Sequence, residues 1–225
     1  MPPMSEIKYP VCEIFDSIDG EGIRTGYMAV FVRLAGCNLR CSYCDTAYAL
    51  SAGQAEEWLT AEEILRRLAV YPWKLLTLTG GEPLLHQAGP LIEKLCAAGY
   101  EVNVETNGAV LLAQDRPESC FYTMDYKTGS SGMKERMELR NFALLKKRDV
   151  VKFVVGCRTD LEEMAAVTEK YFSAAGEQPG FFVSPVWGKI EPKEIVEFLR
   201  EKKLSRVRLQ VQLHKIVWDA EERGV

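Results

Sequence analysis

Residues 28–46 read MAVFVRLAGCNLRCSYCDT, which is an apolar strand pattern followed directly by a loop that carries three cysteines. Cys37, Cys41 and Cys44 have the spacing C-x3-C-x2-C. Thiolates are soft ligands that suit zinc or iron–sulfur clusters, and a closed structural zinc site usually takes four ligands, often in C-x2-C pairs. The chain has only two histidines, and both lie far from this loop in sequence. Three thiolates on one loop therefore favour a 4Fe–4S cluster that leaves one iron open.

An open iron of this kind can chelate the amino and carboxylate groups of S-adenosylmethionine (SAM). A cluster at that point can pass an electron into the sulfonium and break a carbon–sulfur bond, which gives a 5′-deoxyadenosyl radical. The alternative is that the three cysteines are packed in the fold or bind zinc. The glycine before the loop and the turn Gly80-Gly81-Glu82 after the next strand favour the cluster, so we predict a radical SAM enzyme.

The composition is that of an ordinary globular protein, with 225 residues of which 47% are hydrophobic and 27% charged. A net charge of −4 argues against binding of nucleic acid through bulk charge. No apolar run reaches membrane-spanning length, so we expect a cytoplasmic protein with no membrane partner. The length favours a single domain over residues 1–225, and a homodimer is the expectation from base rates.

Apolar strand patterns alternate with amphipathic helix patterns along the chain. The predicted strands are Val11–Ile18, Met28–Ala35, Leu75–Thr79, Glu101–Glu105, Cys120–Met124, Val150–Val155, Phe181–Ser184 and Arg206–Gln212. The predicted helices begin at a Thr60–Glu63 capping box, span about Pro90–Ala98 and Met133–Lys147, run from a Thr159–Glu162 capping box to Phe172, and carry Pro192 in a first turn. This order predicts an α/β fold with a parallel sheet, curved into an incomplete TIM-like β/α barrel, with an open doubly wound sheet as the alternative.

Unusual polar residues follow four of these strands. The cysteine loop, Gly80-Gly81-Glu82, Thr106-Asn107-Gly108 and Asp125-Tyr126-Lys127 each come directly after a strand. Because α/β folds place active sites at the carboxyl ends of parallel strands, we expect these segments to form one site.

Two features of this rim point to ligands. Gly80 and Gly81 permit close backbone approach, and the Glu82 carboxylate could accept the SAM ammonium. Arg33 lies within an apolar strand, where an unpaired charge is expensive, so its planar guanidinium is expected to meet an anion such as a carboxylate. The alternative for Arg33 is a salt bridge to Glu13, Glu21 or Glu105.

The stretch Glu13–Thr46, EIFDSIDGEGIRTGYMAVFVRLAGCNLRCSYCDT, resembles the 7-carboxy-7-deazaguanine synthase family of the radical SAM superfamily. The likeness continues in TGGEP at Thr79–Pro83, ETNG at Glu105–Gly108 and QLHK at Gln212–Lys215. The resemblance implies a lyase of 7-deazapurine (queuosine-type) biosynthesis that converts 6-carboxy-5,6,7,8-tetrahydropterin to 7-carboxy-7-deazaguanine with loss of ammonia. It also implies a 4Fe–4S cluster, SAM, Mg²⁺ and a flavodoxin- or ferredoxin-type electron donor.

The resemblance also implies roles for particular residues. The cluster ligands would be Cys37, Cys41 and Cys44, and Thr46 would offer its hydroxyl to Mg²⁺. SAM would lie against Tyr43, Cys44, Asp45, Gly80, Gly81, Glu82, Asp125, Tyr126 and Lys127. The pterin would contact Ile18, Asp19, Gly20, Glu21, Arg33 and Thr79, with His214 as a further candidate. Glu21, Arg33 and Glu105 are the expected catalytic residues, and the alternative for the two glutamates is pairing with Arg33 or Lys127.

The chain departs from the family pattern at two places. Asp19 stands where the family usually has Gln, and Asp125-Tyr126-Lys127 stands where Ser-Pro-Lys is common. Two other functions remain open from the sequence: a radical SAM activase that installs a glycyl radical on a partner enzyme, and a non-catalytic metal- or nucleotide-binding module.

Overall fold

The computed structural model describes residues 6–172, 178–220 and 222–225, and it contains a sheet of nine strands. The strands are β1 Lys8–Ile18, β2 Met28–Leu34, β3 Glu57–Thr60, β4 Leu75–Gly80, β5 Glu101–Thr106, β6 Cys120–Tyr126, β7 Val150–Val155, β8 Gly180–Pro185 and β9 Val207–Leu209. The α-helices are α1 Ala61–Leu68, α2 Ala88–Ala97, α3 Arg158–Phe172, α4 Pro192–Glu201 and α5 His214–Val217. In these ranges no helix has the length and apolar character needed to cross a bilayer.

The sheet has the order β3-β1-β2-β4-β5-β6-β7-β8-β9. β1 pairs antiparallel with β2 and β3, and every other neighbouring pair is parallel. The ladder does not close, but the Gln210 side chain after β9 reaches the backbone of the segment after β1: Gly22 N donates to Gln210 Oε1 (2.7 Å), and Gln210 Nε2 donates to Gly22 O (3.1 Å). The predicted α/β fold and incomplete barrel are therefore confirmed.

The parallel strands carry apolar side chains on one face and polar side chains on the other. Leu76 and Leu78 of β4 belong to the main hydrophobic core, whereas Thr77 and Thr79, which alternate with them, form hydrogen bonds inside the barrel. The same alternation recurs in β5, β6 and β7, with core residues Val102, Val104, Tyr122, Met124, Val151 and Phe153. Since successive side chains of a strand point to opposite faces, this period of two gives the barrel a polar interior.

The segment after β1 fills the amino-terminal end of that interior. Arg24 is buried, donates to Leu76 O (3.1 Å) and to Thr77 Oγ1 (2.6 Å), and forms an ion pair with Asp19 (2.8 Å). These bonds satisfy a charge that would be costly to bury unpaired. The opposite end of the barrel is left for ligands.

One predicted helix start is confirmed and another is wrong. The Thr60–Glu63 capping box opens α1, with Glu63 N donating to Thr60 Oγ1 (3.2 Å) and Thr60 N to Glu63 Oε2 (2.8 Å). The Thr159–Glu162 box is wrong, because α3 begins at Arg158 and places Thr159 inside its first turn. The carboxylate of Asp160 accepts the backbone N–H of Gly156 instead (2.7 Å).

The helix predicted over Met133–Lys147 is also wrong. Short 3₁₀ turns, Lys134–Arg136 and Leu139–Ala143, occupy this segment. The buried Asn141 side chain donates to Gly108 O (3.1 Å) and accepts from Leu112 N (2.9 Å), which ties the segment to the loop after β5. Tertiary hydrogen bonds of this kind override the helical pattern, as they often do where propensity is weak.

Most predicted strands differ from the observed ones by one to three residues at an end, and one strand was not predicted. The short strand β3 was not predicted, although it pairs with β1 from Lys8↔Thr60 to Val11↔Glu57. The last strand is shorter than the predicted Arg206–Gln212, and the side chain of Gln210, the next residue, bonds Gly22 across the barrel.

Candidate active site

The carboxyl ends of β2, β4, β5 and β6 surround a cavity of about 530 Å³. The structure brings the four predicted loops together here, and the lining includes Cys37, Cys41, Cys44, Gly80, Gly81, Thr106, Asn107, Asp125 and Lys127. A second cleft, of about 620 Å³, lies across β1, β3 and α1 and contains none of the residues predicted for the site. The chemistry-bearing side chains therefore mark the smaller cavity as the candidate site.

Backbone hydrogen bonds fix the cysteine loop at this rim. Cys37 N donates to Leu50 O (3.0 Å), and Ser42 N donates to Ser131 O (3.0 Å). None of the three thiols is in a disulfide. Burial raises the pKa of Cys41, and the charges of Asp125, Cys44 and Cys37 raise it further against the lowering effect of Lys127.

The surroundings of the thiols fit an iron–sulfur cluster. Cys37 Sγ already accepts hydrogen bonds from Leu39 N (3.4 Å) and Asn107 Nδ2 (3.5 Å), and such bonds to cluster sulfurs help to set a reduction potential. Among the described residues, no three His, Cys, Asp or Glu side chains converge on a point that could hold a single metal ion.

Gly80 and Gly81 close the gap between β4 and the cysteine loop. A Cβ at Gly81 would lie 2.3 Å from Gly36 O, and Glu82 N donates to the same carbonyl oxygen (2.8 Å). Both glycines also line the cavity, so the missing side chains allow loop packing and ligand approach together.

The Glu82 carboxylate does not face the cavity, contrary to the prediction that it accepts the SAM ammonium. It is fully buried and accepts hydrogen bonds from Thr106 Oγ1 (2.8 Å), Asn107 N (2.6 Å) and Leu84 N (3.1 Å). Burial raises its pKa to about 7. Glu82 therefore joins the loops that follow β4 and β5 and holds Asn107 beside Cys37.

Two other predicted contacts also have side chains directed elsewhere. The Asp19 carboxylate is bonded to Arg24 and Thr77 at the opposite end of the barrel and does not line the cavity. Tyr126 stacks on Phe142 and donates its hydroxyl to Glu163 (2.9 Å). Since Asp125 and Lys127 face the cavity, strand alternation sends Tyr126 to the helix side.

Arg33 lines the cavity and forms the salt bridge that the sequence left as an alternative. Its Nε lies 2.5 Å from Glu13 Oε1, and the same oxygen accepts a hydrogen bond from the Tyr48 hydroxyl (2.8 Å). The guanidinium also lies over the ring of Phe15, 5.6 Å from its centroid. Glu13 and the rings thus hold the orientation of a guanidinium at the cavity wall.

A chain of four alternating charges crosses the interior. Lys152 Nζ lies 2.5 Å from Glu21 Oε2 and 3.2 Å from Asp125 Oδ1, and Lys127 Nζ lies 2.6 Å from Asp125 Oδ2. Glu21 thus pairs with Lys152 and not with Arg33 or Lys127. Lys152 was missed from the sequence, although a single cation in the apolar run VVKFVV gives the same signal that singled out Arg33.

Glu105 projects from β5 into the same cavity. Thr79 Oγ1 donates to its Oε2 (2.8 Å), so two residues predicted for the site bond each other. Burial raises the pKa of Glu105 to about 7, against the opposing charge of Lys152. A carboxyl group with a pKa near neutrality can either accept or hold a proton under ordinary conditions.

The remaining predicted residues lie around the mouth of the cavity. Ile18, Gly20, Tyr43, Asp45, Thr46 and His214 all line it. Thr46 Oγ1 donates to Asp45 Oδ1 (3.0 Å), and Lys215 Nζ lies 3.3 Å from the other Asp45 oxygen. A Cβ at Gly20 would lie 2.4 Å from His214 Nδ1, so the glycine makes room for the imidazole.

Comparison with known proteins agrees with this geometry. A family model described as the radical SAM superfamily matches residues 32–119, which include the three cysteines. The fold is similar to that of the crystal structure of QueE from Escherichia coli, with a TM-score of 0.74 over 91% of this chain and 94% of that chain, at 22% sequence identity. Fold and cysteine loop together define a radical SAM enzyme.

Curated relatives give the particular family. The 7-carboxy-7-deazaguanine synthase of Clostridium acetobutylicum is 41% identical over 97% of this chain and 100% of its own length. The protein of the same name from Leptospira interrogans is 35% identical over 99% of this chain and all of its own length. The chain belongs to the 7-carboxy-7-deazaguanine synthase family.

Proposed function

We propose that this chain converts 6-carboxy-5,6,7,8-tetrahydropterin to 7-carboxy-7-deazaguanine with loss of ammonia, using a 4Fe–4S cluster, SAM and Mg²⁺. The observation that carries the proposal is a single cavity that joins three free thiols to the ionisable side chains of Glu21, Arg33 and Glu105. Family membership supports the same reaction.

The cofactor half of the cavity is assigned to the three cysteines and their neighbours. Cys37, Cys41 and Cys44 would hold the cluster, which when bound and reduced supplies the electron for SAM cleavage. Lys127 and Asp125 neutralise each other at 2.6 Å and present a polar wall beside the thiols. Gly81 exposes backbone at the point where the SAM methionine group would lie.

The substrate half is assigned to three charged groups. In the described structure Glu21 Oε1 is buried and has no hydrogen-bond partner, whereas its Oε2 is held by Lys152. An unpaired buried carboxylate oxygen is costly, and a pterin N–H donor would satisfy it. Glu105 would accept a second N–H, and Arg33 would face the substrate carboxylate with its planar fork.

The Mg²⁺ site is assigned to the mouth of the cavity. The Thr46 hydroxyl lies next to the Asp45 carboxylate, and both offer the oxygen ligands that this cation prefers. We also propose that a flavodoxin- or ferredoxin-type protein reduces the cluster, and that the enzyme works as a homodimer.

The test uses matched cysteine variants of anoxically prepared protein supplied with iron and sulfide. Wild type is expected to be brown, to bind about four irons per chain, and to form 5′-deoxyadenosine and 7-carboxy-7-deazaguanine when given SAM, reductant and the carboxypterin. C41A should lose both the iron and all SAM cleavage, whereas C157A, at an exposed cysteine outside the cavity, should keep both. A colourless wild type that binds one zinc ion, or an active C41A, would overturn the assignment.

The same assay separates the proposal from the glycyl-radical activase. An activase would need a polypeptide partner to use the radical and would leave the carboxypterin unchanged. Formation of the deazaguanine from the pterin, SAM and reductant, with no added polypeptide partner, therefore decides between the two.

A further inference from the structure

Lys152 is a buried cation that none of the roles above requires. Its side chain is 10% exposed and projects from the centre of β7 into the cavity. An ammonium group in that position is stable only when it is paired, and two carboxylates from different elements pair with it. Glu21 comes from the segment after β1, and Asp125 comes from β6.

These two carboxylates belong to different halves of the cavity. Glu21 stands on the proposed substrate side, with Oε2 held by Lys152 and Oε1 left without a partner. Asp125 stands on the proposed cofactor side and is shared between Lys152 and Lys127. Lys152 thus makes a direct polar contact with a carboxylate on each side.

The segment that carries Glu21 is held by backbone hydrogen bonds, by Arg24 and by side-chain contacts such as that of Lys152. It is not part of a strand at this point, since β1 ends at Ile18 and a 3₁₀ turn begins at Gly22. Gln210 holds the turn from one side through Gly22, and Lys152 holds Glu21 itself. Without the ammonium, Glu21 would face Asp125 and Glu105 across the cavity and be repelled by like charges.

We propose that Lys152 is a positioning residue that holds Glu21 against the substrate at a fixed distance from Asp125, so that SAM cleavage stays coupled to turnover of the pterin. The proposal rests on the proposed function. The described hydrogen bonds and ion pairs of Lys152 are to Glu21 and Asp125, which are not cysteines, so its loss should leave the cluster in place. What changes is the fit of the substrate to the radical, and misplacement of about 1 Å can cost a hundredfold in rate.

The experiment compares K152M, K152R and a surface control, K193M, whose lysine is 84% exposed. K152M should bind iron as wild type does and cleave SAM, but it should release several 5′-deoxyadenosine molecules for each deazaguanine formed. Its KM for the pterin should rise at least tenfold. K152R, which keeps a charge able to meet both carboxylates, should recover most of the coupling, and K193M should match wild type.

A binding measurement without reductant tests how Lys152 affects substrate binding separately from its effect on the reaction. In anoxic holoenzyme without reductant, fluorescence titration with the carboxypterin should give a Kd for K152M that is at least ten times the wild-type value. A wild-type Kd and a wild-type ratio of 5′-deoxyadenosine to product in K152M would overturn the proposal. If instead wild type itself cleaves SAM but forms no deazaguanine, the proposed function has failed and the role of Lys152 within it falls too.

A second pair of variants tests the proposal if K152M fails to fold, because removing one partner of a buried ion pair is strongly destabilising. K152M/D125N removes one positive and one negative charge together and is compared with D125N alone. A larger ratio of 5′-deoxyadenosine to product in the double variant supports the proposal. Equal ratios in the two proteins overturn it.

Discussion

Replacement of Gly80 by alanine tests how tightly the cavity wall is built. Gly80 ends β4 with φ of +132°, a conformation that side chains rarely adopt. A Cβ built there would lie 1.9 Å from the carbonyl oxygen of Leu34 and 2.4 Å from its nitrogen. Both atoms belong to the backbone of β2 directly before the cysteine loop, so the contact cannot be relieved by a side-chain rotation.

Two costs add in G80A. The backbone conformation costs about 1–3 kcal/mol for a residue other than glycine. Separation of β4 from β2 would also break the hydrogen bond from Gly81 N to Leu34 O (2.8 Å), which contributes about 1 kcal/mol. We therefore expect the free energy of unfolding to fall by about 3 kcal/mol, which lowers Tm by roughly 6–12 °C in a chain of this length.

Thermal unfolding followed by circular dichroism measures this change, and iron content after reconstitution reports on the loop. G80A should show the lower Tm together with reduced iron content, because the displaced strand end carries the loop. The matched control is G89A in α2, where an added Cβ meets nothing within 4 Å. G89A should be neutral or more stable by about 0.4–1 kcal/mol. A Tm for G80A within about 2 °C of wild type would refute the packing argument.

Three further perturbations have expected outcomes. R33A should keep its iron but raise the KM for the carboxypterin, by a factor that corresponds to about 2–5 kcal/mol, and an unchanged KM would contradict the carboxylate contact. D149A removes a fully buried partner of Arg116 and should lower the free energy of urea unfolding by about 3–5 kcal/mol; a loss below about 1 kcal/mol would count against it. Glu105 has a folded-state pKa of about 7 against an ordinary 4.5, so it contributes stability that is present below pH 4.5 and lost as the pH rises through 7. Urea unfolding should show wild type losing up to about 3 kcal/mol relative to E105Q between pH 4.5 and 8, and parallel pH profiles would show that the shift is absent.

Much of the fold could be predicted because its signals are local. The period-two patterns of the parallel strands and the Thr60 cap are properties of short segments, and both are confirmed. The segment Met133–Lys147 has an apolar pattern too, but its conformation is decided by Asn141 bonding to a distant loop. The sequence of the segment alone contains no sign of that partner.

The sequence predicted which loops form the site better than it predicted the directions of their side chains. Position directly after a strand was enough to gather the four loops at one cavity. Whether a side chain in such a loop points inward depends on register and on competing partners, and this is where Glu82 and Tyr126 differ from expectation. Lys152 could have been found, since a buried cation within a strand needs a counter-charge whatever its function.

The alternation between polar interior and apolar exterior separates two kinds of constraint within single strands. In β5, Val102 and Val104 belong to the packing that keeps the molecule folded, whereas Glu105 lines the cavity of the candidate site. Adjacent positions on one strand are therefore constrained differently, one by packing in the core and the next by its place in the cavity. New reactivity could arise on this scaffold by replacing every second residue of a few strands, while the layer that folds the chain is inherited unchanged.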